Sequence, residues 1–115
     1  MRTLNDYFIT GTIPDISTAG STFVAVPDGG RIIKIMSVLG GAITGGNAAI
    51  TFEIGGTAVT DAGVTGAHSG SAVGTMDGST PSALNRVEED GTIEMITDGA
   101  SSNAVKLLVT FVIRR

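Results

Sequence analysis

Ser21-Thr-Phe-Val-Ala-Val-Pro-Asp-Gly-Gly-Arg-Ile-Ile-Lys-Ile-Met-Ser-Val-Leu39 decides how the rest of the chain is read. β-Branched and apolar runs flank Pro27-Asp28-Gly29-Gly30, residues that supply turn dihedrals, so the stretch predicts two β-strands joined as a hairpin. Successive side chains of a strand point to opposite faces. On strict alternation Ile33, Ile35, Ser37 and Leu39 share one face of the second strand, and Ile32, Lys34, Met36 and Val38 share the other. Both faces are rich in apolar residues, which a sheet with one solvated face does not require. An opposed sheet of the same chain can cover one face. The second needs a cover of its own.

Working outward, residues 1–5 read as a polar arm and Asp6–Ile13 as a first strand that stops at Pro14, which lacks a ladder amide. Gly40–Asn47 is a glycine-rich loop with one apolar residue, Ile43. Ala48–Ile54 alternates cleanly, with Ile50, Phe52 and Ile54 on one face, and Gly55-Gly56 predicts a two-residue hairpin back through Thr57–Thr60. Residues 61–70 read as loose, Ser71–Met76 as a short strand, and Asp77–Pro81 as a turn cluster. Ser82–Asp90 is read as strand or extended loop in preference to a helical turn. Strands follow at Gly91–Thr97 and at Asn103–Arg114, the latter with Val105, Leu107, Val109, Phe111 and Ile113 on one face and Lys106, Leu108, Thr110 and Val112 on the other. About eight short strands separated by Gly- and Asp-rich turns predict an all-β chain, an antiparallel β-sandwich of jelly-roll type. Residues 1–12 form the arm and first strand, and residues 13–115 a single sandwich domain.

Composition supports this. The chain has 115 residues, enough for a core without disulfides, and no cysteine. It carries 17 glycines, no tryptophan and one tyrosine, so Ile, Val, Leu, Ala and Met must fill the interior, together with Phe8, Phe23, Phe52 and Phe111. A net charge of −4 argues against phosphate-backbone binding, because Arg114-Arg115 is no patch. No apolar run reaches bilayer length, and no apolar leader stands at the N-terminus. Mean hydropathy is positive with few charges, which points to oligomerisation or a permanent docking surface.

Catalytic signatures are scarce. His68 is the single histidine, and His68-Ser-Gly-Ser-Ala lacks the glycines of a nucleophile elbow. One histidine is too few for a cupin-type metal site. Glu88-Glu89-Asp90 lacks the alternation of a calcium loop and reads as a solvated turn. The Gly40–Gly46 loop lacks G-K-[ST] and precedes a strand. No catalytic residue, metal or cofactor is expected, and an enzyme ranks last among the readings. The candidate site is a subunit contact made by Ile32, Lys34, Met36 and Val38 with Leu108 and Val112.

Five phrases carry a resemblance: Gly20-Ser-Thr-Phe-Val-Ala-Val-Pro-Asp-Gly-Gly-Arg-Ile, Ser37-Val-Leu-Gly-Gly-Ala-Ile-Thr44, Ile54-Gly-Gly-Thr-Ala-Val-Thr60, Gly70-Ser-Ala-Val-Gly74 and the ending Thr97-Asp-Gly-Ala-Ser-Ser-Asn-Ala-Val…Val-Thr-Phe-Val-Ile113. From about Ile13 onward the chain resembles the capsid decoration (cement) proteins of tailed bacteriophages. That resemblance implies a structural virion protein, made in the host bacterial cytoplasm, that binds the exterior of a mature head. It further implies bridging of major capsid subunits, commonly as a homotrimer at three-fold positions. The alternatives are a tail or fibre receptor-binding module and another β-sandwich adhesion module.

Overall fold

A computed structural model describes residues 5–115; of the arm expected over residues 1–5, residues 1–4 lie outside them. The described residues contain no helix and ten strands: β1 (Asp6–Ile13), β2 (Gly20–Ala25), β3 (Gly30–Leu39), β4 (Ala48–Ile54), β5 (Thr57–Ala58), β6 (Val64–Gly66), β7 (Met76–Ser79), β8 (Arg86–Val87), β9 (Thr92–Thr97) and β10 (Leu107–Arg114). The front sheet runs β1-β10-β3-β7, with β8 also on β3; the back sheet runs β2-β9-β4-β5, with β6 also on β4. Every pairing is antiparallel.

The pairings are nested. β1 pairs β10, β2 pairs β9, β3 pairs β7 and β8, and β4 pairs β5 and β6. The chain is thus one long ribbon doubled back at Gly55-Gly56, then rolled so that β10 meets β3 and β9 meets β4. A ribbon rolled in this way is the jelly-roll sandwich. The reversal at its tip is the two-residue hairpin the sequence predicts. Ile54 pairs Thr57, and Gly55 and Gly56 take φ of 60° and 84°, the paired left-handed conformation of a type I′ turn.

Between the sheets lies the core. Ile32, Ile35, Leu39, Leu107, Val109, Phe111 and Ile113 come from the front sheet, facing Ile50, Phe52, Ile93 and Met95 of the back sheet. Phe52 and Phe111 meet edge to face across the gap, with centroids 5.5 Å apart at 89°. Phe8 and Phe23 do not join them. They are 58% and 61% exposed, a correction to the core assignment of all four phenylalanines. Their strand parity explains it: Ile9 and Ile13 alternate inward against Phe8, and Val24 and Val26 against Phe23.

The hairpin expected over residues 21–39 is also corrected, because its two strands lie in different sheets. Val26 extends the back-sheet ladder, donating its amide to Gly91 O and accepting from the Asp90 amide, both at 2.9 Å. The chain therefore stays with β9 until Pro27, and Asp28-Gly29 carries it round the corner to β3. Gly30 completes the corner where backbones crowd: a Cβ there would stand 2.6 Å from the Arg114 carbonyl oxygen. Gly30→Ala should lower stability by about 1–3 kcal/mol, the usual cost of overpacking a closed site. Urea titration checks this, and an unchanged midpoint would refute it.

Three further segments differ from expectation. Residues 71–75 form turns over the 40–46 loop, with Gly74 N–H on Leu39 O at 2.8 Å and Leu39 N–H on Thr75 O at 2.9 Å. The strand expected at 71–76 consequently begins at Met76, and Asp77-Gly78-Ser79 lie in it instead of forming a turn. Gly78 sits opposite Met36, and the Asp77 carboxylate accepts the Thr65 amide at 2.7 Å, so a polar residue blunts this sheet edge. β6 lies within the stretch read as loose. Ser82–Asp90 is extended, as read, with β8 inside it and Leu84 and Asp90 at φ of 54° and 63°.

Candidate docking surface

The front sheet has an outer face built by alternation on four strands. Register places Phe8, Val112 and Lys34 in one row, Thr10, Thr110, Met36 and Gly78 in the next, and Thr12, Leu108, Val38 and Met76 in a third. Phe8 is 58% exposed, Met76 60%, Val38 39% and Leu108 36%, although each is a large apolar side chain. With strands about 4.8 Å apart and like-facing residues about 6.8 Å apart, the patch covers about 200 Å². A stable interface covers about 800 Å² per partner, so the patch by itself has the area of only the central part of one.

The back sheet is the internal control. Its outer positions include Thr92 and Glu94 on β9, Thr51 and Glu53 on β4, and Ser21 on β2, whose hydroxyl donates to the Glu94 carboxylate at 2.6 Å. Phe23 is its exposed aromatic, set opposite Glu94. Ile96, between Ser21 and Thr51, and Ala25, opposite Thr92, are apolar there too, so the faces differ in degree: the front one exposes four large apolar side chains and the back one chiefly Phe23.

No protein-family model and no curated protein matches the chain.

Of the six residues the sequence singles out, five belong to this outer face. Lys34, Met36 and Val38 stand on β3 beside Val112, Thr110 and Leu108 of β10. Val112, between Phe8 and Lys34, is fully covered, so it supports the surface from below. Ile32 is the exception. It is 0% exposed within the core cluster, because β3 bulges: Ile113 pairs Ile32 while Val112 pairs Lys34, leaving Ile33 as an inserted residue. One extra residue reverses the facing of everything beyond it, so Ile32 joins Ile35 and Leu39 inside. Sequence reading missed Phe8 and Met76. The parity of β1 was a usable signal for Phe8, whereas Met76 depends on where β7 begins.

Charge frames one end of the patch. The shielded Asp6 carboxylate receives Arg114 through Nε at 2.8 Å and Nη2 at 3.1 Å, a two-pronged contact that raises the guanidinium pKa. Beside it the Tyr7 hydroxyl donates to the Asp28 carbonyl, and Arg115 lies 5.4 Å over the Tyr7 ring while reaching the Asp28 carboxylate at 3.1 Å. Burial, and next the Asp28 charge, push the Tyr7 pKa up. At the opposite end, hydrogen bonds from Ser17, at 2.5 Å and 2.9 Å, with a further one from Thr18, hold the Asp15 carboxyl below its ordinary value.

The other residues weighed for chemistry occupy loops. His68 is exposed, with Nδ1 2.8 Å from Asn47 Oδ1, while the Ser71 hydroxyl sits against Ile43 N–H at 3.0 Å. Glu88-Glu89-Asp90 is an exposed turn closed by Gly91 N–H on Glu88 O at 2.9 Å. The 40–46 loop is pinned by buried Ile43 and by Asn103, which bonds Thr44 N–H at 2.8 Å and Ala42 O at 2.7 Å. Among the described residues no three acidic or histidine side chains converge in a metal-holding group.

Proposed function

We propose that this protein is a structural component of a bacteriophage virion, a decoration protein that binds the outside of the head and bridges major capsid subunits. The observation that carries the reading is the apolar outer face of the front sheet, with four exposed large apolar side chains, set against the more polar outer face of the back sheet. A ligand that binds only the assembled lattice stabilises that lattice by mass action, and repeated attachment multiplies the effect. Such a role calls for a rigid sandwich and a broad surface, and the resemblance in the turns and strands adds the class of partner. Trimers at three-fold positions follow from that resemblance.

The test mixes purified protein with undecorated heads and measures binding and heat resistance together. Saturable binding with a raised disruption temperature is the expected result. Failure to bind at micromolar concentrations would overturn the reading, and glycan binding in its place would favour a receptor-binding tail module.

A further inference from the structure

A sheet edge is a row of main-chain donors and acceptors, and among the described residues the longest open edge is β1, with eight residues against six in β2, the edge of the back sheet. Among the described residues β1 pairs with β10 alone, so Phe8, Thr10 and Thr12 have no ladder partner on the side away from β10. The direction of its amides follows from two bonds outside the strands. Gly40 N–H donates to Lys106 O at 2.9 Å, so even-numbered residues of β10 bond β3, and Arg115 N–H donates to Asn5 O at 3.3 Å, so odd-numbered residues bond β1. On β1 the odd residues therefore face β10, and the amides and carbonyls of Phe8, Thr10 and Thr12 face outward.

Among the described residues, the stretch Phe8–Thr12 of this edge carries none of the usual protections. Native edges carry lysines, internal prolines, bulges or brevity. β7 and β8 on the far side of the front sheet span four and two residues, whereas β1 has eight, with no proline, no lysine and an unbroken register. Its open side is also self-complementary. About a two-fold axis at Thr10, Thr10 pairs with its own copy and Phe8 pairs with Thr12 in both directions, which makes about six main-chain hydrogen bonds. Side chains then match as aromatic against Thr and Thr against Thr, both favourable cross-strand neighbours. The single charge on β1, Asp6, falls opposite the copy's Pro14, beyond these pairs, so no like charges meet.

We infer that β1 is a self-association edge: a second copy of this chain adds its own β1 antiparallel about a two-fold axis at Thr10, joining two front sheets into one continuous sheet. This goes beyond the docking face, since it uses the edge of the sheet and not its surface. A two-fold contact here is compatible with three-fold contacts elsewhere, and the two together would link neighbouring trimers into a net.

Thr10→Pro is the decisive variant. The Thr10 amide points away from β10, so proline removes no bond of the fold, yet it deletes the central donor of the added strand. Native mass and sedimentation of wild type and variant are compared at equal concentration, with circular dichroism confirming that the variant is folded. Thr10→Pro should halve the mass, from dimer to monomer or from hexamer to trimer. Equal masses would overturn the inference, including the case in which both are monomers. If the proline variant misfolds, Thr10→Lys replaces it, placing two lysines face to face at the axis; the same halving is expected and the same equality refutes. Val38→Glu, on the sheet surface, should leave the two-fold contact intact while weakening head binding, so the edge and the docking face fail separately.

Discussion

Phe111→Ala should cost the fold about 3–5 kcal/mol, a large share of the roughly 5–15 kcal/mol that holds a domain of this kind together. Phe111 is fully buried in β10, the strand that pairs with both β1 and β3. Its ring meets Phe52 of the back sheet at 5.5 Å, edge on, so removing it opens a cavity in the layer that joins the sheets. The walls are paired strands held by ladder bonds and cannot collapse far into that space, which is why the upper part of the range applies. Equilibrium denaturation of wild type and variant measures the loss. A cycle with Phe52→Leu should show coupling of about 0.5–1.5 kcal/mol between the rings. A loss below about 1 kcal/mol for Phe111→Ala would mean that the two aromatic rings do not anchor the sandwich.

The second large effect is expected on binding and not on folding. Lys34→Glu with Met36→Asp should weaken association with heads by at least about 100-fold, equivalent to about 2.7 kcal/mol. Both side chains stand on the outer face beside Val112 and Thr110, so neither substitution touches the core. Met36→Asp places a carboxylate at the centre of the patch, where docking would strip its water without supplying a cation. Lys34→Glu reverses the one charge set among these apolar residues and removes the stem beside Val112. The melting temperature of the free protein should stay within a few degrees of wild type. If the double variant binds heads as the wild type does, the apolar outer face is not the docking surface.

Much of the architecture was legible because burial imposes period two on every long strand. Asp6–Ile13 and Ala48–Ile54 have the bounds that alternation gave them, and the inward set from Val105 to Ile113 is buried throughout. What alternation cannot supply is the partner of a strand. Residues 20–25 and 30–39 read as a hairpin because the turn chemistry between them suits one, and only Val26's bonds to Asp90 and Gly91 show that the chain is still committed to the back sheet. The apolar outer face was legible in five of its residues for the same periodic reason. Ile32 was misplaced by one inserted residue, and a bulge set by how β3 fits β10 leaves no mark in a run of Arg-Ile-Ile-Lys-Ile. Asp77-Gly78 misled in the other direction, since residues favoured in turns are also tolerated on a protected edge.

The rolled ribbon has a consequence for how the protein is made. The ladder partner of β1 is β10, about a hundred residues later in the chain. Each earlier pair in the nest can form only after the intervening chain exists, and contacts so far apart in sequence make folding slow. β10, central to the apolar outer face, follows the other nine strands of the described residues in chain order. A chain arrested before residue 107 has no β10, so it lacks Leu108 and Val112 and cannot join β1 to β3. If the outer face docks as proposed, a chain arrested there cannot present it, and competence to bind waits until β10 has been made.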